Sequence, residues 1–230
     1  MDNYVSVAID GPAGAGKSTI AKRVAAELGY LYVDTGAIYR TVGYHMSLMG
    51  IGPKDKDGIA RCIDDVNIAI EYQDDGRQHM ILNGQDVTDL IRTPEMSMMA
   101  SGVSAQPCVR AYLLDMQRQL ARTHNVVMDG RDIGTVVLPH ADVKVYLTAS
   151  AGVRAERRWK ELVAKGQDVK FEDVYTDVVK RDEQDMNRAI APLKCADDAE
   201  VLDCSYLTID QVVAEMKEII RRKATKHGGE

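Results

Sequence analysis

The stretch Gly11, Pro12, Ala13, Gly14, Ala15, Gly16, Lys17, Ser18 constrains this chain more than any other. It fits the pattern G-x-x-x-x-G-K-[ST], and its flanks decide what the pattern means. Residues 4–9 before it are an apolar, β-branched run that predicts a strand. Lys17–Leu28 after it places Ile20, Val24 and Leu28 on one helical face, with Gly29 as the stop. Strand, glycine-rich turn and helix in that order form a cradle for phosphate. Glycines let the backbone curl until its N–H groups point inward at anionic oxygens, and the helix adds its positive end. Lys17 is then placed for the β- and γ-phosphates of a nucleoside triphosphate, and the Ser18 hydroxyl for Mg²⁺.

The rest of the chain supports an α/β fold, because strand-like and helix-like segments alternate. Further strands are predicted at residues 30–33, 126–128 and 143–147, with a weak one at Val201 and Leu202. Helices are predicted at residues 38–49, from Thr93-Pro94, and from Pro107, where Val109, Tyr112, Leu113, Met116 and Leu120 mark a core face. Two polar helices follow, Ala151–Ala164 and residues 172–188, and a last one opens on the capping box Thr208-x-x-Gln211 with Val212, Val213, Met216, Ile219 and Ile220 inward. The tail from Arg221 is polar and is expected to fray. Residues 67–72 and 79–83 flank Asp74-Asp75-Gly76 as a hairpin, and Asn83-Gly84 marks another turn. That small β unit breaks the alternation and reads as an insertion.

Bulk properties exclude several classes. At 230 residues the chain suits one α/β domain with insertions. A net charge of −6 and only 5% aromatic residues argue against a nucleic-acid coat or a base-stacking platform. Cys62, Cys108, Cys195 and Cys204 are scattered, without metal-ligand spacing, as in a reducing cytosol. The opening apolar run is too short for a signal peptide and stops at Asp10, and no stretch approaches membrane length. A cytoplasmic protein is expected, with small-molecule substrates, no nucleic-acid or membrane partner, and a monomeric state.

Three clusters narrow the class of phosphate-loop protein. Residues 34–40, Asp-Thr-Gly-Ala-Ile-Tyr-Arg, follow the second strand, where α/β sheets present ligand groups. Asp34 or Thr35 is placed to cap the next helix, and Arg40 lies in its second turn. Asp129-Gly130-Arg131-Asp132 follows a buried strand, with Asp129 where such folds steer Mg²⁺. In the polar helices, Arg154, Arg157 and Arg158 share one face by spacing, as do Arg181, Asp185 and Arg188. Two arginine-bearing helices joined near Lys165-Gly166 suit a lid that closes on phosphates.

Together these residues resemble the bacterial cytidylate kinases, a branch of the nucleoside monophosphate kinases. The matching segments are residues 9–18, 34–40, 91–93, 129–135 with Val136 and Val137, 181–188, and 189–193, in the family's order along nearly the whole chain. The Asp-Gly-Arg-Asp-x-Gly-Thr and Arg-Asp-x-x-Asp-x-Asn-Arg segments are the specific ones. Thr35 stands where some relatives carry Ser, and Ser18 where some carry Gly.

The resemblance implies a P-loop NTPase-type three-layer fold with a five-stranded parallel sheet. Its core would be about residues 1–60, 105–150 and 195–225, with an enlarged monophosphate-binding insertion at about 61–104 and a helical lid at about 151–190. It implies Mg²⁺-dependent transfer from ATP to CMP or dCMP, within pyrimidine nucleotide metabolism. ATP would be held by Gly11, Pro12, Ala13, Gly14, Ala15, Gly16, Lys17, Ser18 and Thr19. Ser101, Arg110 and Asp132 would read cytosine. Arg40, Arg131 and Arg188 would hold the acceptor phosphate beside Thr35, and Arg181 and Asp185 would face the ribose. Lys17, Arg131, Arg188 and a lid arginine, taken as Arg157, would carry catalysis, although spacing alone leaves Arg154, Arg157 and Arg158 open. Kinases of other small acceptors stay as alternatives. A GTP-binding switch would need an Asn-Lys-x-Asp segment, which this chain lacks.

Overall fold

The computed structural model describes residues 4–73 and 77–224. The chain divides into two compact units, one comprising the residues up to Leu31 together with those from His124 onward, the other Tyr32–Thr123. In chain order the strands are β1 (Ser6–Asp10), β2 (Leu31–Asp34), β3 (Ile68–Tyr72), β4 (Gln78–Leu82), β5 (Gln85–Asp86), β6 (Val126–Asp129), β7 (Val143–Thr148) and β8 (Glu200–Asp203). The helices are α1 (Lys17–Leu28), α2 (Thr35–Leu48), α3 (Lys56–Cys62), α4 (Pro94–Ser104), α5 (Pro107–Thr123), α6 (Ala151–Ala164), α7 (Phe171–Asn187) and α8 (Ile209–Ala224).

The expected α/β class is borne out. A five-stranded parallel sheet runs in the order β2-β6-β1-β7-β8. Its central strands are apolar on both faces. Val7 and Ile9 in β1, Val126, Val127 and Met128 in β6, and Val143 and Leu147 in β7 are all closed to solvent. A strand covered on both sides needs such a continuous run, whereas β8 at the sheet edge alternates between half-buried and exposed. In the first unit, α1 packs on β1 and β6, and α8 packs on α1 and β7. The α8 face is the expected one: Val212, Val213, Met216, Ile219 and Ile220 are buried. Its capping box is closed in both directions, Gln211 N–H donating to Thr208 Oγ1 and Thr208 N–H to Gln211 Oε1. The helix continues through Arg221 to Ala224, so its last basic turn is ordered rather than frayed, and the tail beyond it lies outside the described residues.

The second unit holds the β insertion. Its β3–β4 pairing is antiparallel, Ile68 opposite Leu82 and Tyr72 opposite Gln78. The predicted Asp74-Asp75-Gly76 turn lies outside the described residues. The insertion is a three-stranded sheet rather than a hairpin, because Asn83 and Gly84 both take positive φ, 49° and 84°, and turn the chain into β5. Helix α2 begins three residues before the expected start, since the Asp34 carboxylate accepts the Ala37 N–H and caps it. Thr93 caps α4 as expected. The α5 face is rotated from the expected one: Val109, Arg110, Leu113 and Gln117 are buried, while Tyr112, Met116 and Leu120 are half-buried. Polar partners let Arg110 occupy that row, and apolar periodicity does not register such a residue. Among the described residues no helix is long and apolar enough to cross a membrane.

Candidate active site

In the first unit the site grows from the turn between β1 and α1. At Gly11 (φ 148°) a Cβ would lie 2.0 Å from the Leu147 carbonyl oxygen, so only glycine lets the loop pass β7 at that point. Lys17, 5% exposed, folds back to donate from Nζ to the Pro12 carbonyl at 2.7 Å. Burial, and then the nearby Arg131 charge, hold its proton affinity well below the ordinary lysine range, against the pull of Asp129 and Asp10. An anionic phosphate in the loop would favour the charged lysine. Thr19 is exposed on the first turn of α1, and the Ser18 hydroxyl donates to Asp129 Oδ2 at 2.9 Å. Hydroxyl and carboxylate thus stand together at the strand end, as a Mg²⁺ site requires.

Asp10, at the end of β1, accepts from Ile133 N–H at 2.8 Å and Gly134 N–H at 2.7 Å. Those bonds hold a single widened, π-helical turn, Ile133–Val137, that follows directly on Asp132. Burial lifts the Asp10 carboxyl to about 6, the two N–H bonds pull it down, and Asp132 and Lys17 act in opposite senses. The raised value means that the fold favours the protonated form more than the unfolded chain does. Asp10 therefore adds stability below about pH 4 that is lost as pH rises through about 6, a change of about 3 kcal/mol. The destabilisation caused by Asp10→Asn should accordingly be largest near pH 4.5 and shrink by pH 7.5 in urea titrations of both proteins.

The residues after β6 are braced by the end of α7. Arg131 donates from Nε to Asp185 Oδ2 at 2.8 Å, and Arg188 from a terminal nitrogen to Asp132 Oδ1 at 3.2 Å. Asp132 and Asp185 are 4% and 6% exposed. The spacing predicted Arg181, Asp185 and Arg188 on one helix face. Helix α7 instead ends at Asn187, and Arg188 has left it with φ −64° and ψ 141°. Its Nε donates to the Ala191 carbonyl, which turns the guanidinium back towards Asp132. Arg181 is half-buried one turn before Asp185.

The three α6 arginines have separate surroundings. Arg154, 4% exposed, donates to the Ala149 carbonyl at 2.8 Å, to the Ala13 carbonyl of the phosphate loop at 2.9 Å, and to both carboxylate oxygens of Asp182. Arg157 donates to the Cys204 carbonyl at 2.8 Å, and the Cys204 thiol lies 3.3 Å from the Ala15 carbonyl of the loop. Arg158 pairs with Glu161 in solvent. A T-shaped Trp159–Phe171 contact at 6.5 Å joins α6 to α7.

In the second unit, Asp34 caps α2 and also accepts from Arg40 at 3.1 Å. Thr35, 3% exposed, is the first helical residue. Arg40 Nε is buried without a hydrogen-bond partner among the described residues. Arg110 donates to the Ser104 carbonyl at 3.3 Å, and its guanidinium lies 5.8 Å from the centre of the Tyr39 ring. Ser101 is half-buried on α4.

Sequence reasoning missed Asp10, Asp182, Cys204 and Gln78. Only Gln78 left a signal. It is a polar residue in the inward row of β4, which otherwise reads Met80 and Leu82. The four cysteines are free thiols, and no cluster of three or more metal-type ligands exists among the described residues.

Known proteins share this sequence along almost its whole length. The family model for cytidylate kinase matches residues 7–222. A cytidylate kinase of Carboxydothermus hydrogenoformans is 51% identical over 217 residues, covering 94% of this chain and 97% of the relative. Another, from Caldicellulosiruptor bescii, is 48% identical over 215 residues, covering 94% and 95%. Among solved structures, an uncharacterized protein from Eubacterium ventriosum superposes with a TM-score of 0.51 at 12% identity, covering 94% of this chain and 98% of its own, a likeness of fold alone. With the family model spanning all but the ends, and with such identities along almost the full length of these relatives, the chain belongs to the cytidylate kinase family.

Proposed function

We propose that the protein transfers the γ-phosphoryl group of ATP to CMP or dCMP, releasing ADP and CDP or dCDP. The observation that carries this reading is the pairing after β6. Arg131 is held by Asp185 and Arg188 by Asp132, in the same unit as a phosphate loop with a buried lysine.

The acceptor is itself a phosphate, whose oxygens are largely ionised at neutral pH, so the chemistry needs alignment and charge neutralisation rather than a general base. Lys17 and the backbone N–H groups of Ala13 to Thr19 take the triphosphate. Ser18 and Asp129 offer one hydroxyl and one carboxylate, a donor set that suits Mg²⁺, an ion that keeps its remaining positions for water and phosphate oxygens. When bound, that ion would neutralise charge on the triphosphate. Arg40, Arg131 and Arg188 offset the charge of the acceptor phosphate, with Thr35 beside it. Arg181 and Asp185 face the ribose. The role at the transferred group falls to Arg154 and Arg157, which engage the phosphate loop directly and through Cys204. Helices α6 and α7 act as the lid that excludes water and suppresses ATP hydrolysis. The free thiols and the small-molecule substrates suit a cytoplasmic setting.

Cytosine offers an amino donor beside two acceptors. Asp132 takes the amino group, and Arg110 and Ser101 donate to the acceptors. Uracil puts an oxygen where the amino group stands and faces it with the Asp132 carboxylate. With purified protein, CMP and dCMP should be phosphorylated, and kcat/KM for UMP should be lower by about a hundredfold or more. Asp132→Asn should narrow that gap. Equal rates on CMP and UMP would overturn the assignment of Asp132.

A further inference from the structure

Gln78 makes two bonds that give it a role beyond filling the β insertion. It sits at the start of β4, 7% exposed, in the inward row it shares with Met80 and Leu82. A primary amide in such a row is unfavourable unless both its ends are satisfied. Here Oε1 accepts the Asp34 N–H at 2.8 Å, and Nε2 donates to the Asp34 carbonyl at 3.3 Å, with the Met80 sulfur at 3.1 Å. The side chain thus supplies, at one residue, the pair of bonds a neighbouring strand would supply. A second tie lies two residues earlier, where the Tyr72 hydroxyl donates to the Tyr32 carbonyl at 2.9 Å.

The clasped residue is the pivot of its region. Asp34 ends β2 and caps α2, one carboxylate oxygen taking the Ala37 N–H and the other Arg40. A rotation of the Asp34 peptide would move both oxygens, and the guanidinium with them. Arg40 keeps Nε buried and unpartnered, a donor left over after the Asp34 bond is made. An anion that takes this donor needs the guanidinium plane held in one orientation.

We propose that Gln78 is a positioning residue for acceptor binding, with the β insertion fixing the Asp34 peptide and, through its carboxylate, aiming Arg40 at the phosphate of the incoming monophosphate. This rests on the reading of Arg40 as a ligand of that phosphate. Gln78 touches no substrate; it acts through Asp34.

The test is a double-mutant cycle of Gln78→Met and Arg40→Ala, measured by steady-state phosphorylation of CMP with ATP. Methionine matches glutamine in length and removes both bonds. Gln78→Met should raise KM for CMP about tenfold and leave KM for ATP within about twofold, a split that general loosening of the fold would not give. In the Arg40→Ala background the same change should add less than about twofold. Gln78→Glu keeps the acceptor for the Asp34 N–H and loses the donor to its carbonyl, so it should also raise KM for CMP selectively. It serves as the readout if the methionine variant does not fold. An unchanged KM for CMP in the Gln78 variants, with a raised one in Arg40→Ala, would overturn the role of Gln78 alone. So would a full tenfold rise that persists without Arg40. An unchanged KM for CMP in Arg40→Ala would remove the reading of Arg40 itself, and the proposal with it.

Discussion

Arg131→Ala should lower kcat for CMP phosphorylation by about a thousandfold, and Arg188→Ala by a similar factor, in a protein that keeps its circular dichroism spectrum. Two anionic phosphate groups must meet for transfer, and a fixed arginine offsets their repulsion most where charge spreads in the transition state. Arg131 is fixed by Asp185 at 2.8 Å, so it incurs little reorganisation when substrate arrives. Its removal also leaves Asp185, with a side chain only 9% exposed, without its cation. That loss should lower stability by about 3 kcal/mol at most, less than a fully buried broken pair costs, because the arginine side is 23% exposed and water can enter. Arg131→Lys separates the two effects. It keeps a charge near Asp185, so much of the stability should return, while the lost planar fork keeps kcat low. Recovery of full activity with lysine would show that charge alone suffices.

Lys17→Met should abolish measurable transfer, a loss of about ten-thousandfold or more, without lowering the melting temperature. The first half follows from the place of Lys17 in the phosphate loop and its reach to the donor. The second half follows from burial. Lys17 has its proton affinity held well below the ordinary value, so the fold disfavours the charged form. A depressed lysine subtracts stability wherever it must stay protonated, and that burden is present throughout the range below its folded value. Methionine removes the charge and keeps the stem. Calorimetry at pH 7 should therefore give an equal or higher midpoint, and ATP should no longer raise it. A fall of many degrees would assign Lys17 a structural role instead.

Local features were legible because local chemistry determines them. The phosphate loop, α1, the Thr93 cap and the α8 capping box all rest on residues within a few positions of each other, and each was found where expected. What escaped notice depends on partners far apart in the chain. Asp10 serves N–H groups more than a hundred positions away, Gln78 clasps a residue 44 positions back, and Asp182 meets Arg154 across 28. No period of 2 or 3.6 encodes such meetings. Arg188 shows a subtler failure. Its spacing from Asp185 is helical, yet the helix ends one residue before it, and the contact with Asp132 depends on that exit. On α5 the inward row includes Arg110 and Gln117, which an apolar count passes over.

The crossed pairs Arg131–Asp185 and Arg188–Asp132 have a consequence for what the protein ignores. Any cell is crowded with chloride, inorganic phosphate and free carboxylates. A bare arginine cluster would collect them and stand blocked. Here each guanidinium already has a resident carboxylate that offsets part of its charge, so a lone anion is drawn in less strongly than it would be by a bare cluster. A single small anion would gain only that weakened attraction. On the proposed reading, a phosphate delivered on a nucleoside would bring sugar and base contacts with it, and so would enter where the bulk ions do not.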